Sequence, residues 1–113
     1  MTARFNFEIW RGTDADYVLA LRDGRGPMDL TGFEADMQIR SAEDDTWLDS
    51  LKTSDERLVI EDGGRIRMTF PRGITAEYTP GRFYWDLLIE SPDGRLTRVI
   101  DGEICVHSGV RRV

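Results

Sequence analysis

Cysteine, histidine and lysine are nearly missing from this chain of 113 residues: Cys105, His107 and Lys52 are the sole representatives. One cysteine excludes an intramolecular disulfide, and nothing in its use points to an oxidising compartment. One histidine means that any Ser-His-acid or Cys-His catalyst must run through His107. Zinc sites take three or four protein ligands, and Cys105 and His107 supply only two of the types that zinc prefers. No apolar run approaches the roughly 18 residues of a membrane span. The start, Met1–Phe5, lacks the apolar run and small-residue cleavage site of a signal peptide. Synthesis in the cytosol is therefore expected, with no membrane partner. A glycine-rich phosphate loop is also missing: Gly24–Arg25–Gly26 has neither the full spacing nor a following helix.

Basic charge is short as well. Asp and Glu number 21 against 15 for Lys and Arg, giving a formal charge of −6. Phosphate neutralisation drives most non-specific nucleic-acid affinity, so an acidic chain argues against that partner. Arg65 with Arg67, and Arg111–Arg112, are too sparse to reverse the balance. Hydrophobic residues at 40% and aromatics at 10% suit a folded domain. The length predicts one domain over residues 1–113.

What is present reads as strands and turns. Phe33, Ala35, Met37 and Ile39 alternate with Glu34, Asp36 and Gln38, the period of a half-buried strand. Phe5–Phe7–Ile9, Tyr17–Leu19–Leu21, Ile66–Met68–Phe70 and Phe83–Trp85–Leu87–Ile89 repeat the pattern. Opposite the last series lie Tyr84, Asp86, Leu88 and Glu90, a partly polar face. Asp-Gly pairs at 23–24, 62–63, 93–94 and 101–102 mark turns or bulges, since glycine accepts positive φ and aspartate bonds to nearby backbone. Ser91–Pro92–Asp93–Gly94 predicts an antiparallel hairpin of 82–90 with 95–101. Asp62–Gly63–Gly64 predicts another, joining Leu58–Ile60 to Ile66–Phe70. Gly102 reads as a bulge interrupting the last strand, which holds Val99, Ile104 and Val106. Residues 41–56 read as a short edge strand with loose flanks around Trp47, Leu48 and Leu51. One short helical crossover is expected near residues 73–79.

Seven or eight such strands predict an all-β chain, an immunoglobulin-like sandwich of two antiparallel sheets, with a small barrel as the alternative. Chemistry is scarce in this pattern. Cys105 and His107 share a strand face and read as structural. Asp14, Asp16, Asp23 and Asp29 have oxygen ligands to offer calcium but no EF-hand spacing, so they read as turn residues. Nothing selects a carboxylate pair for glycoside hydrolysis. No catalytic residue, metal or other cofactor is assigned, and a non-enzyme is expected. The exposed candidates for a protein interface are Trp47, Arg65, Tyr84 and Leu88, because interfaces favour aromatic residues and arginine.

Three segments carry a resemblance. Arg11–Gly12–Thr13–Asp14 follows the first strand; Pro27–Met28–Asp29–Leu30–Thr31–Gly32–Phe33 opens the strong alternating strand; Pro80–Gly81–Arg82–Phe83–Tyr84–Trp85–Asp86–Leu87 precedes Ser91–Pro92–Asp93–Gly94. In this order, over residues 5–107, the chain resembles small β-sandwich domains encoded by tailed bacteriophages and prophages. It is similar to the N-terminal domain of baseplate upper proteins and to uncharacterised proteins of the head, neck and tail region. The resemblance implies an immunoglobulin-like sandwich and a structural role in virion assembly, as a tail, baseplate or neck adaptor. Gly12, Gly32 and Gly81 match its turn glycines. The implied partners are other phage structural proteins, with a homo-oligomer in a ring assembly, and the implied locations are the bacterial cytoplasm during synthesis and the virion if assembled. The alternative is a monomeric binding module for a carbohydrate or host-surface ligand.

Overall fold

A computed structural model describes residues 3–109; the Arg111–Arg112 pair lies outside them. The elements are β1 (Ala3–Arg4), β2 (Phe7–Trp10), β3 (Ala15–Ala20), β4 (Arg22–Asp23), β5 (Gly26–Pro27), β6 (Glu34–Ser41), β7 (Trp47–Lys52), β8 (Leu58–Glu61), β9 (Arg65–Phe70), α1 (Arg72–Thr75), β10 (Gly81–Glu90) and β11 (Leu96–His107). A 3-10 turn at Thr53–Asp55 separates β7 from β8.

The alternating sequences sort into two sheets because each strand has one dry face to bury. A six-stranded sheet runs β11-β10-β6-β7, with β1 and β2 laid in succession, parallel, along the free edge of β11. A three-stranded antiparallel sheet runs β3-β9-β8, and β4 with β5 forms a small hairpin. The architecture is all-β and sandwich-like. Phe7 of the larger sheet meets Tyr17 and Phe70 of the smaller at ring-centroid distances of 4.5 and 5.8 Å. Met37, Ile39 and Leu87 from one sheet and Ile66, Met68 and Phe70 from the other are fully buried in the same core.

Both predicted hairpins form: β10 pairs antiparallel with β11, and β8 with β9. The predicted edge strand in 41–56 is β7, at the far edge of the larger sheet. The bulge, however, is not at Gly102. Leu87 pairs with Ile100 and Leu88 with Arg98, so Val99 is the extra residue. Gly102 lies inside an unbroken β11, opposite Trp85. A Cβ at Gly102 would stand 1.8 Å from the Phe5 carbonyl oxygen. The glycine serves a close approach between main chains rather than a turn.

The helical crossover also differs from expectation. It occupies Arg72–Thr75, earlier and shorter than 73–79. Asp14 accepts a hydrogen bond from the Arg72 amide at 2.7 Å, anchoring the start. The fully buried Thr75 donates its hydroxyl to the Thr13 carbonyl (2.8 Å) and accepts from the Gly12 amide (3.1 Å). These bonds tie the end of the helix to the β2–β3 turn, and the chain continues through i→i+3 turns at Glu77 and Tyr78.

Candidate functional site

The outward face of the larger sheet is built by strand alternation. Residues 84, 86 and 88 of β10 point away from the core because 83, 85, 87 and 89 point into it. Register then sets their neighbours. Tyr84 lies between Arg40 of β6 and Glu103 of β11; Asp86 lies between Gln38 and Asp101; Leu88 lies between Asp36 and Arg98. Asp86 is thus the centre of a three-by-three array on the most enclosed strands of the sheet. β7 extends it, with Trp47 beside Arg40 and Ser50 beside Gln38. β1 adds Arg4 beside Asp101.

This face is concave. A depression of about 400 Å³ is lined by Arg4, Gln38, Arg40, Asp45, Tyr84, Asp86, Leu88, Arg98 and Asp101. Tyr84 is 48% exposed above it. The ion pairs inside are long: Arg98–Asp86 spans 3.3 Å and Arg4–Asp101 3.6 Å. At the rim, Arg82 holds Glu103 at 2.7 Å. The hydrogen bond from Arg82 is the main cause that lowers the Glu103 carboxyl below its ordinary value. A second depression, about 570 Å³, lies between residues 27–33 and 60–64. Two of its three carboxylates are occupied: Asp29 takes the amide and hydroxyl of Thr31, and Glu61 pairs with Arg67.

Three of the four sequence-derived interface residues share the outward face of the larger sheet. Tyr84 and Leu88 line the depression, and Leu88 is half-buried. Trp47 stands two strands away on the same side, 53% exposed, its indole nitrogen donating to Ser50 Oγ at 2.8 Å. Arg65 belongs elsewhere: it is exposed on β9 of the smaller sheet and donates to the Asp62 carbonyl.

The other singled-out residues have local partners. Cys105 is a free, half-buried thiol. His107 Nε2 lies 2.7 Å from Glu8 Oε1, and its ring stacks on Trp10 at 4.6 Å because the two are register partners across β11 and β2. Among the described residues no group of three or more His, Cys, Asp or Glu is placed to hold a metal ion. Asp14, Asp23 and Asp29 accept backbone amide hydrogen bonds in turns. No helix among the described residues is long and apolar enough to cross a membrane.

A polar cluster at the sheet edge escaped the sequence reading. Asp49 accepts from Arg57 Nη1 at 2.8 Å and from the Tyr78 hydroxyl, while the Arg57 guanidinium also lies over the Phe70 ring at 5.9 Å. Burial, reinforced by the hydrogen bond to Asp49, pushes the Tyr78 phenol well above its ordinary value. Asp49 faces inward because it lies two residues before the buried Leu51 and pairs with the inward Ile39; the register shift beyond it leaves Leu48 over and returns Trp47 to the outward face. The signal available was the two-residue spacing of Asp49 from Leu51, which puts both on one strand face, but a carboxylate there reads as solvated until its partners Arg57 and Tyr78 are brought to it.

No protein-family model and no curated protein sequence matches the chain. Similar solved structures include CopC from Methylosinus trichosporium OB3b, at 13% identity over 85% of this chain and 80% of that one, with a TM-score of 0.47. A metagenome-derived glycoside hydrolase family 9 endoglucanase shares 23% identity over 88% of this chain and 16% of its own length, with a TM-score of 0.46. Drosophila OTK extracellular domains 3–5 share 10% identity over 92% of this chain and 33% of theirs, with a TM-score of 0.36. The chain thus spans a minor part of the last two.

Proposed function

We propose that this chain is a non-enzymatic binding module that uses the outward face of its larger sheet, and that it serves as a structural adaptor of a phage or prophage particle. The observation that supports a binding role is the array centred on Asp86: exposed Tyr84, half-buried Leu88 and several arginines sit on central strands whose opposite face is core. Rigid elements hold such groups better than loops do, and interfaces are rich in Tyr, Trp and Arg. The particle assignment rests on the sequence resemblance of the three quoted segments.

The finer fold assignment belongs to the same proposal. We read the sandwich as immunoglobulin-like. The order β3-β9-β8 corresponds to strands B, E and D, and β11-β10-β6-β7 to G, F, C and C′. Tyr78, at the corner between β9 and β10, occupies the place of a tyrosine corner, although its hydroxyl reaches Asp49.

The test is light scattering across a concentration series, followed by pull-down of the proteins encoded beside this one. A stable multimer or capture of a particle protein, weakened by Tyr84→Ala or Trp47→Ala, supports the adaptor. A monomer that captures none of them sinks it. A second reading, a monomeric module for a carbohydrate or host-surface ligand, is favoured by the exposed Tyr84 ring standing beside carboxylates and guanidinium groups in one depression.

A further inference from the structure

The depression around Asp86 has a composition that selects among ligands. Its charged groups are Arg4, Arg40 and Arg98 against Asp45, Asp86 and Asp101, so the formal charges cancel. A site whose formal charges sum to zero has no net long-range attraction for an anion or a cation, although each charged group acts locally. What it does present is donors and acceptors in close array: the Gln38 amide, the Asp86 and Asp101 carboxylates and Arg4 in one row, with Arg40 and Arg98 in the rows on either side, on strands about 4.8 Å apart.

These groups are also free to be used. Arg98–Asp86 is a single contact of 3.3 Å, and Arg4 is shared between Asp101 at 3.6 Å and Glu103 at 3.3 Å, all on exposed or partly exposed side chains. Such surface pairs contribute at most about 1 kcal/mol, so a ligand can take over their hydrogen-bonding capacity at small cost. The tighter pairs, Arg82–Glu103 at 2.7 Å and Arg57–Asp49 at 2.8 Å, lie outside the depression's lining. Arg40 has one weak anchor, a 3.2 Å bond to the Asp45 carbonyl.

Above this polar floor stands one apolar platform, the Tyr84 ring, with Leu88 two residues along the same strand face. A ligand with no net charge, with hydroxyls that both donate and accept, and with an apolar C–H face for an aromatic ring fits this lining. We propose that the depression is a binding subsite for a neutral saccharide, stacked on Tyr84, with its hydroxyls bridging the Asp86 carboxylate and the flanking arginines. The proposal names the ligand class for the carbohydrate reading and rests on the same outward face as the adaptor reading.

The experiment is ¹H–¹⁵N correlation spectroscopy of the full chain titrated separately with maltotriose, cellotriose and tri-N-acetylchitotriose, backed by an array of neutral and acidic glycans. The expected result is a saturable shift confined to Tyr84, Asp86, Leu88 and Asp101 with a neutral glycan, and weaker response to its acidic counterparts. Tyr84→Ala should lower affinity about tenfold or more, equivalent to at least about 1.4 kcal/mol. Tyr84→Phe keeps the ring and should bind nearly as the parent does, and Asp86→Asn should weaken binding with the fold intact. Absence of shifts on this face with every neutral glycan overturns the proposal, as does unaltered binding by Tyr84→Ala. If glycans leave the face silent while Tyr84→Ala still blocks capture of particle proteins, the saccharide is excluded and the adaptor reading stands.

Discussion

Trp85 and Gly102 face each other across β10 and β11, and the indole nitrogen of Trp85 reaches over the glycine to donate to the Phe5 carbonyl at 3.0 Å. Three chain segments meet there with no space for a side chain on Gly102: a Cβ would come within 2.9 Å of the indole nitrogen and closer still to Phe5. This contact seats the N-terminal strands on the edge of β11. Gly102→Ala should therefore cost about 3 kcal/mol or more, at the upper end for overpacking. Chemical denaturation measures it, and a loss under about 1 kcal/mol would show that the N-terminal segment is not held as described.

Trp85→Phe keeps a large apolar ring but leaves the Phe5 carbonyl without its donor. The expected loss is about 1–3 kcal/mol, combining the missing hydrogen bond with incomplete refilling of the indole volume. Hydrogen exchange should rise at the Phe5 amide, which bonds to the Asp101 carbonyl at 2.9 Å. Unchanged exchange there would separate Trp85 from the docking of β1.

The Asp49–Arg57–Tyr78 cluster ties β7 to the segments before β8 and β10. Both members of its ion pair have side chains only 14% exposed. Arg57→Ala leaves the Asp49 carboxylate with no counter-charge, held only by the Tyr78 hydroxyl and the Ser50 amide, and strips the guanidinium from the Phe70 ring. About 3 kcal/mol of destabilisation is expected for breaking a largely buried pair. Arg57→Ala combined with Asp49→Leu should recover part of the loss, because the orphaned charge is then gone. A double variant no more stable than Arg57→Ala would argue against that account.

Stability should fall at both ends of the pH scale for separate reasons. The folded state raises the Tyr78 pKa, so its stabilisation is complete below the unfolded value of about 10 and is lost as pH climbs beyond it. Tyr78→Phe should flatten the alkaline limb of a thermal-melt profile. Asp29, Asp44, Asp93 and Glu103 are shifted down, chiefly by hydrogen bonds from Thr31, Thr46, Ser91 and Arg82. Their stabilisation is present above the ordinary carboxylate range near pH 4 and disappears as pH drops through it. An alkaline limb that persists in Tyr78→Phe would place its origin elsewhere.

Tyr84→Ala and Trp47→Ala remove exposed rings, so each should change stability by no more than about 0.5 kcal/mol. A larger loss at Tyr84 would assign its ring to the fold rather than to a binding surface.

The alternation of apolar and polar residues in 33–39, 66–70 and 83–89 determined which side chains enter the core, since strand period alone turns successive residues to opposite faces. It also placed Tyr84 and Leu88 outward and paired β10 with β11 through the Pro92–Asp93–Gly94 turn. Tertiary structure decided what alternation does not encode. Register brought Gln38, Asp86 and Asp101 into one row from three distant segments, and it separated Arg65 from Trp47, Tyr84 and Leu88 by setting β9 in the other sheet. Gly102 shows the difference most directly. Next to Asp101 it reads locally as a bulge, but its reason is the main chain of Phe5, brought close only when β1 and β2 dock on β11. Asp49 is the parallel case, an acid in a polar stretch that pairing with the inward Ile39 sets on the core side, where Arg57 and Tyr78 meet it. Local patterning specifies faces and turns because they depend on neighbours in sequence; register, sheet membership and close approach depend on neighbours in space.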